Sequence, residues 1–259
     1  MTEQPGAAST GRVLVVVDSA AEAESAIQAA ARLAADLSAE LSGLFVENAD
    51  LIRLADLPFA AEIATSPPML RRLDRELLQR TLRAQAEQAR RTLAEAASSL
   101  RVQWSFQVAR GHSTEIALTA AGQLDLLMIR LAGRQPRRPI GAPQRALGVT
   151  MVVLDATPSA ERTLETALSA ASGGRLVVLF AAASRGAATI RERLAELLAR
   201  VAPKAILQER PARDVNDLLQ AADQGRVGLL VISRANLLLT ETNVRLLAAN
   251  LDCPLLLVG

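Results

Sequence analysis

Three features of the chain predict an α/β fold made of two tandem units, each a mainly parallel sheet flanked by helices. The first is a repeated device. Val13 to Ile27, VLVVVDSAAEAESAI, is an apolar strand ending in Asp18, a short polar turn and an amphipathic helix; Val149 to Leu164 repeats it with Asp155 in the matching place. One offset that lays Asp18 on Asp155 also lays Val16 on Val153, Glu24 on Glu161 and Ile27 on Leu164. The second is the alternation of short apolar runs with helical patterns along the whole chain, which is the order of βαβ units. The third is the character of those runs. They are continuously apolar, as strands buried on both faces of a parallel sheet must be.

Taken in order, Met1–Gly11 is small and polar and reads as a disordered tail. A first unit is expected over 12–148 and a more compact second unit over 149–259. Arg12–Val17 is the first strand, and the helix at about 21–37 sets Ala23, Ile27, Ala30, Ala31 and Ala34 along one stripe. Leu41–Val46 completes a Rossmann-like βαβ unit with a right-handed crossover. An insertion at about 47–98 follows. Its first part carries Leu51, Ile52, Leu54, Leu57, Phe59 and Ile63, which predicts short helical pieces lying over the sheet edge or on a partner. Pro67-Pro68 then reads as the start of a long helix over 68–98, with arginines on its outer sides and an end free to meet a protein partner. Val102–Val108 is a strand, Thr114–Ala121 a helix with Ser113 as N-cap, and Leu124–Ile129 a strand. The second unit reads as strands at 149–154, 176–180, 205–209, 228–232 and 254–258, with helices at 159–171, 189–201, 215–223 and 242–250. The first unit has no closing strand before Val149, so its sheet edge must be covered by a helix, by the other half or by a second subunit.

Composition narrows the function classes. Half of the 259 residues are hydrophobic, with only four Phe, one Trp and no Tyr, so the core is Ala/Leu/Val-rich. So few aromatics argue against single-stranded nucleic acid as a partner, since that recognition stacks bases on aromatic rings. The charge of +2, from 29 basic and 27 acidic side chains, implies no strong global field. A single cysteine, Cys253, allows no internal disulfide and fits a reducing compartment. No apolar run reaches the roughly 18 residues of a membrane-spanning helix, and a cytoplasmic location with no membrane insertion is expected.

The opening VLVVVD…AARLAADLSAELSGLFVE and the closing LLVISRANLLLTETNVRLLAANLDCPLLLVG resemble the universal stress protein family. The resemblance touches both halves and implies a tandem member, with ATP or AMP as the ligand to test; the chain is expected to act as a homodimer. It also implies that Asp18 or Asp155 sits near a bound ribose or adenine, with Val46 lining the base pocket. The family's nucleotide-binding members carry G-x2-G-x9-G-[ST] after the fourth strand, a loop whose backbone amides cradle phosphates. Here the first half departs from it. Arg130 replaces the leading glycine, Gly133 and Gly141 are separated by seven residues, and the hydroxyl residue is missing. The second half has Ser233-Arg234-Ala235-Asn236 followed by three leucines and no glycine.

Two readings stand for each candidate site. Arg130, Arg134, Arg137 and Arg138, with Gly133 and Gly141, follow the carboxyl end of a parallel strand, where α/β sheets bind ligands. Forked arginines could replace backbone amides as an anion grip, or the segment is a solvated linker. Asp18 and Asp155 either meet a ligand or cap the following turn. Leu237–Leu239 either lines an apolar pocket or starts a helix. His112 has no acid and nucleophile nearby in sequence, and no metal-ligand cluster, Walker loop or nucleophile elbow is visible. The expected function is a non-enzymatic stress or signalling module that binds protein or a small ligand and whose ATP site is degenerate. The alternatives are a sensor of adenine nucleotide or another anionic metabolite, and, with less support, a nucleotide hydrolase.

Overall fold

The computed structural model describes residues 11–65, 68–121, 125–131, 149–155, 157–171, 174–181, 192, 196 and 206–259. The helix expected at 189–201 falls almost wholly outside these residues. Eleven strands and seven helices are described below. β1 (Arg12–Val17), α1 (Ala20–Asp36) and β2 (Glu40–Asn48) form the first crossover, followed by α2 (Ala49–Ala55), β3 (Ala61–Thr65), β4 (Pro68–Arg72) and α3 (Arg75–Leu100). β5 (Trp104–Gly111), α4 (Ser113–Ala121) and β6 (Leu126–Arg130) close the first half. The second half runs β7 (Val149–Leu154), α5 (Ala160–Ala171), β8 (Arg175–Ala181), β9 (Ile206–Ala212), α6 (Val215–Gly225), β10 (Leu229–Ser233), α7 (Glu241–Asn250) and β11 (Leu255–Val258).

The expectation of separate sheets gives way to one. A nine-stranded sheet runs β5-β2-β1-β6-β11-β10-β7-β8-β9. All neighbours are parallel except β6 and β11, which pair antiparallel with Leu255 opposite Ile129 and Val258 opposite Leu126. The strand missing from the first half is thus supplied by the second. β11 lies between β10 and β6 and serves both.

The periodicity of the strands explains the two cores. Val13, Val15 and Val17 point to one face, where α1, α3 and α5 pack; Leu14 and Val16 point to the other, covered by α4, α6 and α7. The predicted stripe of α1 is buried at Ala23, Ile27, Ala30, Ala31 and Ala34, and its small side chains let α1 pack against both α3 and α5. Gly43 of β2 marks the closest approach: a Cβ there would lie 2.4 Å from Leu93 Cδ1 and 2.7 Å from Phe106 Cδ2.

The long helix begins later than the sequence predicts. Residues 68–72 form a strand paired antiparallel with β3, Thr65 opposite Pro68 and Ala61 opposite Arg72. The double proline favours extended backbone over helix at this point. The effective start signal is Asp74, whose Oδ1 accepts from the N–H groups of Glu76 (2.8 Å) and Leu77 (3.0 Å). At 26 residues, α3 is about 39 Å long, and it stops where Arg101 turns left-handed at φ 56°. Its arginines stay outside: Arg90 and Arg91 both grip Glu87, at 2.8 and 3.2 Å, and hold its carboxyl down at about 2. The 47–60 stretch holds one short helix, α2, with Ile52 buried and Leu51, Leu54, Leu57 and Phe59 exposed.

Candidate functional site

Because β6 and β11 run antiparallel, the carboxyl ends of β1 and β6 open on one rim of the sheet and those of β7 and β10 on the other. Asp18 and Asp155 therefore lie on opposite rims of the sheet. Each lies at a switch point, where successive crossovers leave a strand in opposite directions and α/β sheets bind ligands.

On the second-half rim the chain leaves β7 at Asp155, which is 6% exposed. Asp155 Oδ1 accepts from the Thr157 N–H at 3.1 Å and from the Thr157 hydroxyl, an Asx-type turn that delivers the chain into α5. The Thr157 hydroxyl meets Ser159 Oγ at 2.9 Å, and Ser159 Oγ meets Ser233 Oγ, at the end of β10, at 2.7 Å. A continuous carboxylate–hydroxyl chain thus bridges the two strands flanking the switch point. Asp155 Oδ2 is buried without a hydrogen-bond partner, and so is Asn236 Nδ2 in the loop after β10. Buried polar atoms are nearly always paired, and here an orphan acceptor and an orphan donor lie in the two segments that follow β7 and β10.

The loop after β10 has the wrong chemistry for phosphate. Ala235 N–H donates to Ser233 Oγ (3.1 Å) and Asn236 N–H to the Ser233 carbonyl (3.1 Å). Leu238 N–H donates to Asn236 Oδ1 (2.9 Å) and Leu239 N–H to the Asn236 carbonyl (2.9 Å). Four amides that a phosphate cradle would need are thus donated inside the loop. The leucines here form a turn, with Leu237 75% exposed and Leu238 and Leu239 packed partly against the core. α7 begins only at Glu241, capped by Thr240 Oγ1 (3.2 Å from Asn243 N).

The first-half rim is built differently. Asp18 Oδ2 accepts from the Ser113 hydroxyl at 3.1 Å. Ser113 is the first residue of α4 and not its cap; the first helical bond goes from Ile116 N–H to the His112 carbonyl, at 3.0 Å. Strand register makes Arg130 the counterpart of Ser233, since Arg130 lies opposite Val17 and Ser233 follows Ile232, which lies opposite Val153. Arg130 Nη1 donates to the Leu251 carbonyl at 3.0 Å and so ties β6 to the end of α7. Val46 is fully buried in the core beside the end of β1. Gly133, Arg134, Arg137, Arg138 and Gly141 lie outside the described residues. His112 Nδ1 sits 3.2 Å from Asp50 Oδ2 at the surface.

Sequence reasoning singled out Asp155 but missed Ser159, Ser233 and Asn236. The spacing Asp155-x-Thr157-x-Ser159 was the available signal, because alternate hydroxyls after a strand-end acid can bond in series. Among the described residues no group of three or more His, Cys, Asp or Glu side chains could hold a metal ion, and no helix is long and apolar enough to cross a membrane. Cys253 is buried, and burial pushes its thiol up to about 12.

No protein-family model matches the chain, and no curated protein matches it. In three dimensions it is similar to a universal stress protein from Archaeoglobus fulgidus DSM 4304, with a TM-score of 0.54 at 11% identity over 96% of each chain. The fold is universal stress protein-like. Lower similarity is found to a Pseudomonas aeruginosa UCBPP-PA14 protein assigned to the universal stress proteins, with TM-score 0.46 and 15% identity over 96% of this chain and 93% of that one. The cytoplasmic domain of a prokaryotic cation chloride cotransporter gives TM-score 0.46 and 12% identity, over 96% and 95%. At 11% identity the likeness to the Archaeoglobus fulgidus protein is one of fold alone.

Proposed function

We propose that this chain is a non-catalytic binding and regulatory module of the stress-response type, made of two tandem universal stress protein-like halves fused on one sheet. Its second-half cleft takes a small ligand through a hydroxyl or amine donor instead of through a polyphosphate. The carrying observation is Asp155 Oδ2, a buried acceptor without a partner, beside a loop whose amides are already engaged. A donor group on a ligand would satisfy that oxygen, and the Thr157–Ser159–Ser233 chain would hold the carboxylate in place for it.

A second reading has support at the other rim. Asp18 follows β1 beside Arg130 at the end of β6, and the sequence beyond Arg130 carries Arg134 and Arg137. That arrangement suits a sensor of ATP, AMP or another anionic metabolite.

Thermal-shift titration with adenosine, AMP, ADP and ATP tests both. A ligand at 100 times its dissociation constant stabilises the fold by about 2.7 kcal/mol, an easily read rise in melting temperature. The leading reading expects adenosine to match or exceed ATP and the shift to vanish in Asp155→Ala. The second expects ATP to exceed adenosine and the shift to vanish in Asp18→Ala, or in Arg134→Ala with Arg137→Ala. A chain that no nucleoside or nucleotide stabilises defeats both in their nucleoside form and leaves a protein partner as the regulatory target.

A further inference from the structure

In a wholly parallel sheet every strand opens into its helix on one rim, and the far end of each helix meets only the turn into the next strand. The antiparallel seam changes this for α7. It leaves the second-half rim after β10 and runs to the start of β11, where Leu255 lies opposite Ile129 near the end of β6. That is the first-half rim. Its ten residues span about 15 Å, close to the roughly 17 Å of the five-residue β10, so α7 reaches from one candidate rim to the other.

Both of its ends are fastened to site residues. At the second-half rim Asn243 Nδ2 donates to the Leu238 carbonyl at 2.7 Å. Leu238 N–H in turn donates to Asn236 Oδ1, and Ala235 N–H to Ser233 Oγ, the last member of the hydroxyl chain from Asp155. At the first-half rim the carbonyl of Leu251, just past the helix, accepts from Arg130, and Arg130 lies opposite Val17, the residue before Asp18. A second link runs sideways. Arg245 Nη2 donates to Glu115 Oε1 of α4 at 3.2 Å, and two residues earlier the Ser113 hydroxyl donates to Asp18 Oδ2. Arg245 and Glu115 are both about half exposed, and such a pair is weak by itself, so Arg130 carries the greater share.

α7 is freer to move than the strands it lies over. β6, β11 and β10 are each paired on both sides, and sliding any of them breaks ladder bonds. α7 is held to the core through Val244, Leu247 and Ala248, and a helix packed by apolar side chains can shift by shear. We infer that α7 is a strut coupling the two rims: a ligand drawn to Asp155 or Asn236 displaces the loop after β10, and α7 passes the shift to the Arg130 and Ser113 contacts around Asp18. The inference rests on the binding readings of both rims given above. Such coupling is reciprocal, so occupancy of either rim changes affinity at the other by the same factor.

Amide hydrogen exchange of the full chain, read by mass spectrometry with no ligand present, tests the strut whether or not a nucleoside binds; the thermal-shift titration judges binding separately. Asn243→Ala cuts the fastening at the second-half rim and alters nothing at the first. Exchange in the first turn of α4, where Ile116 N–H donates to the His112 carbonyl, should then quicken by about fivefold or more. In the other direction, Ser113→Ala should quicken exchange of the Leu238 and Leu239 amides to a similar degree. β8, which lies outside the path, should keep its wild-type rate in both variants. Combining Arg130→Met with Arg245→Met should abolish both remote responses. Changes confined to the neighbourhood of each substitution overturn the inference, and this outcome can be read from the first two variants even if the combined one does not fold. Uniform quickening that includes β8 is global destabilisation and also overturns it, as do remote responses that persist undiminished in the combined variant.

Discussion

Ser159 and Ser233, 74 residues apart in the chain, share a hydrogen bond of 2.7 Å across the gap between β7 and β10. Through Thr157 this contact reaches Asp155, so the carboxylate is held from both flanking strands. Ser233→Ala removes the link and the acceptor for the Ala235 N–H, and should destabilise the fold by about 1–3 kcal/mol, read as a lowered denaturant midpoint. Asp155→Asn keeps an oxygen for the Thr157 turn and should change stability by less than about 1 kcal/mol while abolishing any ligand-induced thermal shift. The pair of variants separates framework from binding.

Gly43 should not tolerate a methyl group. Its virtual Cβ falls within 2.4 Å of Leu93 and 2.7 Å of Phe106, both packed into the α3-side core. Gly43→Ala should destabilise by about 1–3 kcal/mol through overpacking. Pairing it with Leu93→Ala, which vacates the space, should give a double mutant more stable than the sum of the single effects predicts, measurable by urea unfolding.

Arg130 joins the halves over 121 residues of sequence by donating to the Leu251 carbonyl. Arg130→Met keeps most of the stem packing but deletes the donor, and should destabilise by about 1–3 kcal/mol. The exposed link between Arg162 and Asp125, 2.9 Å long with both side chains about half exposed, should contribute under about 1 kcal/mol in a double-mutant cycle. Arg130, not the surface ion pair, is the polar tie expected to matter.

Cys253 gives a pH signature. Burial raises its thiol to about 12, against a pull in the other direction from Arg130. The folded state therefore holds this proton more tightly than the unfolded chain does. The stabilisation is complete below the ordinary thiol range of about 8.5 and is lost progressively as pH rises from there toward 12. Unfolding free energy should fall across that window in the wild type and fall less in Cys253→Ala. At about pH 8 a thiol reagent should label the native protein only at the rate of opening.

Much of the fold was legible because the repeat is local. The offset that aligns Asp18 with Asp155 places β1 and β7 at the same six-residue length, since a buried strand ending in an acid and a turn is written in consecutive residues. The β3–β4 hairpin was not legible, because Pro68 is also a favoured first residue of a helix and the arginines at 71 and 72 fit either structure. The shared strand was legible only as a deficit. The order of the first half shows that a strand is missing, but nothing local in Leu255–Val258 says that it pairs with Leu126–Ile129. The site was half visible for the same reason: Asp155, Thr157 and Ser159 are neighbours, whereas Ser233 joins them only through the parallel register of β7 and β10.

The antiparallel seam between β6 and β11 also sets the order in which the molecule can be completed during synthesis. β6 leaves the ribosome long before β11, so a nascent first half carries an apolar strand with one side of its backbone open, the kind of edge that invites mispairing. Among the described residues, no first-half strand pairs with that side of β6. The halves cannot mature one after the other, as domains in tandem usually do; the strand that finishes the second is the one that finishes the first, and both reach their final form together.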